Sequence, residues 1–298
     1  MSDLANLDAV ARVNRVIDHV TRHPTDPLDL EQLSGIAHYS SYHFHRVFKA
    51  VVGETLAVFV KRIRLQRALQ QMSHDPEASL TEIAFACGFS SSSDFSRSFK
   101  QQYGVPPRAF DLTGFRDARR EAFTGIARLP PGTNPDGFAV TFRELPARFV
   151  AYIRVHASYT PGGPQGAAER LVRWAEARGW DGGRWLGYMW DDPEVVPMAS
   201  CRYDVGVEVP ASFRAEGEVG CLALPAMTVA RVPVRGPIEL ELRALDWLYG
   251  TWLPRSTRVP AHLPCFEAWR GRPFAHGDGW FELDLELPVV EPGGARVG

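Results

Sequence analysis

The 298-residue sequence has few cysteines and no long apolar run. Its four cysteines are far apart and form no CxxC pair, which argues against a zinc site and a disulfide framework. No apolar stretch approaches the roughly 18–20 residues of a transmembrane helix. The N-terminus lacks the basic region and apolar core of a secretory signal. We therefore expect a protein of the reducing cytoplasm that has no membrane partner.

The composition is that of a globular protein, with 45% hydrophobic and 23% charged residues. At about 150 residues per domain, the length suggests two domains. The net charge is −2, but basic residues cluster in the first part of the chain, where only Glu54 opposes one group of six. Such a cluster suits a polyanion, although solvated helix faces are the alternative. The six residues are Arg46, Lys49, Lys61, Arg62, Arg64 and Arg67.

The period of the apolar residues changes along the chain. Residues 1–112 follow a helical period, and we expect an all-α domain there. Residues 113–137 are predicted to be a linker, because 129–137 concentrate Pro, Gly and Asn. Residues 138–290 alternate with the period of strands and predict an α+β domain with an antiparallel sheet. In its last strand Phe281, Leu283, Leu285 and Leu287 should face one way, and Glu282, Asp284 and Glu286 the other.

An internal repeat links residues 28–53 and 78–104. Each copy has the pattern of a short helix, a turn and a second helix that begins with Ser and ends at Gly, which are common helix-capping residues. The second copy has one extra residue in its turn. The matching pairs are Leu30 and Leu80, Leu33 and Ile83, Tyr39 and Phe89, Ser40 and Ser90, Phe44 and Phe95, Arg46 and Arg97, Phe48 and Phe99, Lys49 and Lys100, and Gly53 and Gly104.

This pattern is typical of a helix-turn-helix, whose second helix enters the major groove of DNA. One copy would fit an ordinary helical corner equally well, but two copies with matched basic residues favour DNA binding. A helix over about 55–72 would join the copies rigidly and place the two recognition helices about 34 Å apart, one turn of DNA. Polar side chains on each second helix point away from its buried phenylalanines. They are Tyr42, His45, Arg46 and Lys49 in the first copy, and Ser92, Ser93, Ser96, Arg97 and Lys100 in the second.

Residues 80–110, LTEIAFACGFSSSSDFSRSFKQQYGVPPRAF, resemble the signature of bacterial AraC/XylS-type transcription regulators. The resemblance covers about residues 8–112 and implies a double helix-turn-helix that binds double-stranded promoter DNA. It implies that Tyr42, His45 and Arg46 face bases from the first recognition helix, and that Ser92, Ser93 and Arg97 do so from the second.

One departure from the family pattern is His38, where the family usually has Gly. A histidine in a left-handed turn is tolerable but strained. A second departure is the run of serines over residues 90–93, whose short side chains favour phosphate contacts over base contacts.

The second half of the chain resembles the GyrI-like effector-binding domain in the phrases RFVAYIRV, GYMWDDP, SCRYDVGVEV and PCFEAW. Two similar halves are visible, with helices expected at about 166–178 and 237–250. The resemblance implies a small-molecule cleft between two pseudo-symmetric halves, often with a buried Glu that faces cationic or amphipathic ligands. Glu267 matches that residue.

On a strand, Glu267 should share a face with Cys265 and Trp269. A buried carboxylate is costly unless a cation compensates it, and aromatic walls favour hydrophobic cations. The alternatives are an exposed Glu267 and aromatic residues that only fill the core. The candidate ligand residues are Glu267, Trp269, Tyr152, Tyr188 and Trp190.

We therefore expect a DNA-binding transcription regulator that responds to a small molecule, with RNA polymerase as a further partner. The alternative is a small-molecule hydrolase fused to a DNA-binding domain, with Glu267 as general base. No Ser/His/Asp or Cys/His constellation supports catalysis, so no catalytic residue is assigned. We expect no cofactor or metal, because Asp191-Asp192-Pro193 favours a turn over a metal site.

Overall fold

The computed structural model describes residues 3–74, 77–124, 128–261, 263–277 and 279–291. The chain divides into two compact units, Met1–Arg119 with Glu194–Val196, and Arg120–Pro193 with Pro197–Gly298. Within the described ranges, no helix combines the length and the apolar character that crossing a bilayer requires.

The N-terminal part is helical, as expected, and its first helix ends at Arg22. The linker prediction over 113–137 did not include a helix, yet α7 covers its first part, while residues 125–127 lie outside the described ranges. The helices are α1 (Asp3–Arg22), α2 (Leu30–Ile36), α3 (Ser41–Val52), α4 (Leu56–His74), α5 (Leu80–Ala86), α6 (Ser92–Tyr103) and α7 (Leu112–Thr124).

The pairs α2–α3 and α5–α6 are two helix-turn-helix motifs with matched capping. Ser40 and Ser91 accept hydrogen bonds from amides in the first turns of α3 and α6, as serine does at helix starts. Gly53 and Gly104 end the same helices with φ of 85° and 82°. The turn of the first motif has the expected left-handed residue, since His38 has φ 53°. The repeat therefore extends to the helix caps, although the N-cap that corresponds to Ser40 is Ser91 and not the predicted Ser90.

The phenylalanine pairs hold the two recognition helices in their motifs. Phe44 and Phe48 are fully buried, and their ring centroids lie 5.6 Å apart. Phe95 and Phe99 are also fully buried, with the same centroid distance of 5.6 Å. Edge-to-face pairs of this kind add to the free energy of burial. Each helix is thus anchored by one face and leaves the other available.

Helix α4 contacts α3 and also contacts α5 and α6, so it joins the motifs as expected. Two of its arginines hold the fold, although the sequence placed them in a polyanion-binding cluster. Arg62 is 4% exposed and forms an ion pair with Glu54 at 2.7 Å. Arg64 donates hydrogen bonds to backbone carbonyls of Pro24 and Asp26. Their role in packing corrects the charge-cluster interpretation for these two residues.

The second unit contains one antiparallel sheet with helices on one face. Its strands are β1 (Thr141–Leu145), β2 (Arg148–His156), β3 (Trp185–Met189), β4 (Arg202–Val209), β5 (Gly220–Leu224), β6 (Met227–Gly236), β7 (Val259–Pro260), β8 (Phe266–Trp269) and β9 (Phe281–Val290). Its helices are α8 (Gly163–Glu176) and α9 (Ile238–Trp247). The strand order β1-β6-β9-β8-β3-β4-β2-β5, with β7 beside β9, reads as two similar halves that meet between β8 and β3.

The sheet curls on itself. A flat sheet of eight strands would separate its edge strands by about 34 Å, since neighbouring strands lie about 4.8 Å apart. Yet β1 and β2, which lie toward opposite edges, are joined by only two residues, and so are β5 and β6. The Cα atoms on either side of a two-residue connection are three peptide units apart, so they lie at most about 11 Å from each other. The two edges therefore approach each other at these turns.

The two faces of the curled sheet have different surroundings. The helix face packs against α8 and α9 and includes Phe281, Leu283, Leu285 and Leu287, as predicted from their alternation. The inner face, enclosed by the curl, includes Tyr152, Tyr188 and Phe266. Both faces are buried, so any charged group on them needs a partner.

Candidate functional site

Each recognition helix presents a polar face that is accessible. Tyr42 is 74% exposed, and His45 and Arg46 are exposed beside it. On α6, Ser93 and Arg97 are exposed, while Ser92 and Ser96 are half-buried. Lys49 and Lys100 are exposed near the ends of the two helices.

The basic side chains of these two helices differ from those of α4 in their partners. Within the described part of the chain, Arg46, Lys49, Arg97 and Lys100 form neither an ion pair nor a side-chain hydrogen bond, in contrast to Arg62. Unpaired guanidinium and ammonium groups suit guanine edges and phosphates. Both helices therefore carry an available Arg and Lys at equivalent positions.

A buried carboxyl cluster lies on the helix face of the sheet. Glu267, on β8, is 6% exposed, and the hydroxyl of Tyr203 on β4 donates a hydrogen bond to its Oε2. Glu241, on α9, is 2% exposed, and burial followed by the charge of Glu267 raises the pKa of its carboxyl group well above the ordinary value. Burial raises the pKa of Glu267 to about 7, while the hydrogen bond from Tyr203 opposes that rise.

The backbone opposite Glu267 must be glycine. Glu267 pairs directly with Gly187 on β3, where the two halves of the sheet meet. A Cβ at Gly187 would collide with the hydroxyl of Tyr203 and with Oε2 of Glu267. A cleft of about 330 Å³ lies at the ends of β3 and β8; it is lined by Trp185, Trp269 and residues 181–184 and 271–272, and not by Glu267.

Comparisons with known proteins match both parts of the chain. A model described as a helix-turn-helix domain matches residues 33–112, and a model described as a GyrI-like small-molecule-binding domain matches residues 138–290. The second match covers about half of the sequence. The chain belongs to the GyrI-like small-molecule-binding family.

The curated relatives match the N-terminal part of this GyrI-like protein. The multiple antibiotic resistance protein MarA of Escherichia coli is 28% identical over 115 residues, which cover 39% of this chain and 89% of MarA. The probable transcriptional regulator LumQ of Photobacterium leiognathi is 32% identical over 105 residues, 35% of this chain and 42% of LumQ. The AraC-type resemblance is confirmed, and so is the expected combination of a DNA-binding regulator with a small-molecule-binding domain.

Two solved structures resemble separate parts of the GyrI-like protein. The DNA-binding domain of AdpA, in complex with a target DNA, is 25% identical with a TM-score of 0.30, and the match covers 37% of this chain and 95% of that one. The EcmrR C-terminal domain is 12% identical with a TM-score of 0.40, and the match covers 52% of this chain and 99% of that one.

The structure does not bring the five candidate ligand residues of the GyrI-like domain together. Glu267 and Trp269 lie on the helix face with Cys265, as expected from strand alternation. Tyr152 and Tyr188 lie on the inner face, and Trp190 packs against that face. The aromatic residue types alone carry no information on which face each occupies, because the face depends on the register of each strand.

The inner-face residues pack and pair with one another. Trp190 stacks on Tyr188 with ring centroids 5.7 Å apart, and its Nε1 donates to Asp204 at 2.6 Å. Asp204 also forms a bidentate ion pair with Arg154, with N–O distances of 2.7 and 2.6 Å. Because these rings and charges partner one another, they correct the expectation that Tyr152, Tyr188 and Trp190 face the same ligand as Glu267.

Sequence reasoning missed two members of the carboxyl cluster in the GyrI-like domain. Tyr203 alternates with Val205 and Val207 on the helix face of β4, but nothing in the sequence links it to Glu267. Glu241 gave no local signal, since an acidic residue in the first turn of a helix is ordinary. Only the packing of α9 against the sheet brings it to Glu267.

Proposed function

We propose that this protein is an effector-responsive transcription regulator in which α3 and α6 both contact promoter DNA and Glu267 anchors a hydrophobic cation. The observation that carries the proposal is the matched pair of anchored helices, each with an available Arg and Lys on its exposed face. Tyr42, His45, Arg46 and Arg97 are assigned to base edges, and the short side chains of Ser92 and Ser93 to phosphates. Lys49, Ser96 and Lys100 are assigned to the phosphates.

Binding assays with single variants test the DNA contacts. We expect Arg46→Ala and Arg97→Ala each to weaken binding to a duplex selected from random sequence by about 1–3 kcal/mol and to relax its base preference. Arg22→Ala is the matched control, because Arg22 is an exposed arginine at the end of α1, outside both motifs. Wild-type affinity in both recognition-helix variants would refute the assigned contacts.

The effector site is proposed from the electrostatics of Glu267. A buried carboxylate without a basic partner is costly, and a bound cation offsets that cost. Among the described residues, no basic side chain forms an ion pair with Glu267 or Glu241. Trp185 and Trp269 pair with each other two residues along from Gly187 and Glu267, and their rings favour an aromatic or alkyl cation over a small hydrated one.

A thermal-shift measurement with benzyltrimethylammonium tests this site. We expect the melting temperature of the wild type to rise with the cation and that of Glu267→Gln to stay unchanged. Glu239→Gln is the matched control, since Glu239 lies on α9 but is exposed. Equal shifts in the wild type and in Glu267→Gln would remove Glu267 from the site.

Effector binding regulates transcription only if the effector has different affinities for two states of the protein. We infer that the two states differ in DNA affinity or in contact with RNA polymerase, and that the protein acts in the cytoplasm, where bacterial DNA lies. The hydrolase alternative is not supported, because the two matched models describe a helix-turn-helix domain and a small-molecule-binding domain. One relative, AdaA of Bacillus subtilis, is named as a bifunctional transcriptional activator and DNA repair enzyme, and it is 31% identical over 98 residues.

A further inference from the structure

The chain between the end of α7 and β1 is attached to α9 through one buried carboxylate. Asp246 lies near the C-terminal end of α9, and its side chain is 2% exposed. Its Oδ1 accepts a hydrogen bond from Nη1 of Arg120 at 2.7 Å and another from Nη1 of Arg128 at 3.3 Å. Its Oδ2 accepts from the backbone amide of Leu129 at 3.2 Å. Three donors from residues 120–129 therefore meet on one side chain of α9.

Two further contacts fix the same part of the chain closer to β1. The amide of Gly132 donates to Oγ1 of Thr251 at 2.9 Å, in the helical turn that follows α9. Arg243 of α9 donates to both carboxylate oxygens of Asp136, at 2.8 and 2.9 Å. This second ion pair is partly exposed, and pairs of that kind contribute little to stability. The buried carboxylate of Asp246 is therefore the principal attachment of a segment whose composition predicts a linker.

Helix α7 carries this attachment up to the boundary between the two compact units. The boundary falls between Arg119 and Arg120, and both residues belong to the single helix α7. A continuous helix has a fixed rise and rotation per residue, so it moves as a rigid element. Packed rigid elements of this kind can carry energetic coupling between distant sites. A displacement of Asp246 is therefore passed along α7.

Helix α9 also lies beside the proposed effector site. On the helix face of the sheet it packs against β6 and β9, whereas α8 packs against β2 and β4. Glu267 is on β8, the strand next to β9, and neighbouring strands are about 4.8 Å apart. Ala244 and Trp247 of α9 belong to the same buried core as Trp269 of β8. A quaternary ammonium ion is wider than one strand spacing, so a cation bound at Glu267 displaces the packing of α9.

We propose that α9 transmits effector binding to the DNA-binding unit and that the contacts of Asp246 with residues 120–129 are the connection. This inference rests on the proposed effector site at Glu267. The cation changes the position of α9, Asp246 carries that change into α7, and the DNA affinity of the helix-turn-helix unit changes in response. The coupling free energy comes from the different effector affinities of the two positions of α9.

The variant Asp246→Asn tests the connection with little change of shape. Asparagine keeps one oxygen acceptor but lacks the negative charge that pairs with the two arginines. In fluorescence anisotropy with a selected duplex, benzyltrimethylammonium should change the Kd of the wild type about fivefold or more and that of Asp246→Asn less than about twofold. The cation should still raise the melting temperature of Asp246→Asn, because it binds at Glu267. Asp136→Asn is the matched control, and its Kd should respond as in the wild type, since it removes only the partly exposed ion pair.

Hydrogen exchange provides a readout that does not depend on a variant. The amide of Leu129 reports on the attachment because it donates to Asp246. A saturating concentration of the cation should change its exchange rate in the wild type about threefold or more, and should leave the amides of β5 unchanged. An unchanged rate at Leu129 in a protein that binds the cation, or a full Kd response in Asp246→Asn, would overturn the role of Asp246 and leave the effector site standing. Failure of the wild type to bind the cation would overturn the effector site itself, and this proposal with it.

Discussion

Replacing Glu267 with glutamine should stabilise the GyrI-like domain at high pH but not at low pH. Burial raises the pKa of Glu267 from an ordinary value of 4.5 to about 7. As pH rises between these values, the unfolded chain loses the proton while the folded domain keeps it. The wild type therefore loses stability over this range, and Glu267→Gln does not.

The magnitude follows from the size of the pKa difference. Each pKa unit corresponds to about 1.4 kcal/mol. Between pH 5 and pH 8, ionisation of Glu267 should therefore lower the unfolding free energy of the wild type by roughly 2 kcal/mol. We expect the difference in unfolding free energy, variant minus wild type, to increase by that amount from pH 5 to pH 8. Comparing this difference at two pH values cancels contributions to the unfolding free energy that do not depend on pH, such as that of the altered hydrogen bond with Tyr203.

Urea denaturation followed by tryptophan fluorescence is the suitable assay. All eight tryptophans lie between residues 174 and 280, so their fluorescence reports on the second unit. Glu239→Gln, which changes an exposed glutamate on the same helix as Glu241, should show no such increase. A pH-independent difference for Glu267→Gln would refute the reasoning that Glu267 is held as a buried, high-pKa carboxyl group.

Two further predictions concern the helix-turn-helix motifs, and hydrogen exchange of the α4 and α6 amides measures both. Gly104→Ala should cost about 1 kcal/mol because of its left-handed backbone alone, whereas Gly88→Ala should cost about 2 kcal/mol or more, because its Cβ would also lie 2.8 Å from a backbone oxygen. Equal costs would contradict this steric account. Arg62→Ala should destabilise α4 by about 2–3 kcal/mol, because it removes a buried guanidinium and leaves the half-buried Glu54 without its partner, while Arg46→Ala should leave the protection of α4 unchanged. Wild-type protection in Arg62→Ala would show that the ion pair does not stabilise the fold.

Features that depend on local sequence could be predicted well. The repeat, the serine and glycine caps, the left-handed His38 and the alternation along β9 each involve residues close together in the chain. Their physical causes, capping and side-chain periodicity, act over a few residues. The family resemblances also depended on such local patterns.

Features that depend on long-range packing could not be predicted. The separation of Tyr152 and Tyr188 from Glu267 follows from strand register, and the proximity of Glu241 to Glu267 follows from the docking of α9. In the sequence, Arg62 cannot be distinguished from an arginine that is solvated or binds DNA. Its ion pair with Glu54 forms only in the folded protein and produces no periodic pattern in the sequence. Charge counting therefore overestimated the basic surface.

The most direct test of the account combines both sites in one measurement. Fluorescence anisotropy gives the Kd of the wild type and of Glu267→Gln for a selected duplex, with and without benzyltrimethylammonium. We expect the cation to change the Kd of the wild type by about fivefold or more and to leave that of Glu267→Gln unchanged. The same change in both proteins, or no change in the wild type, would contradict regulation of DNA binding through Glu267.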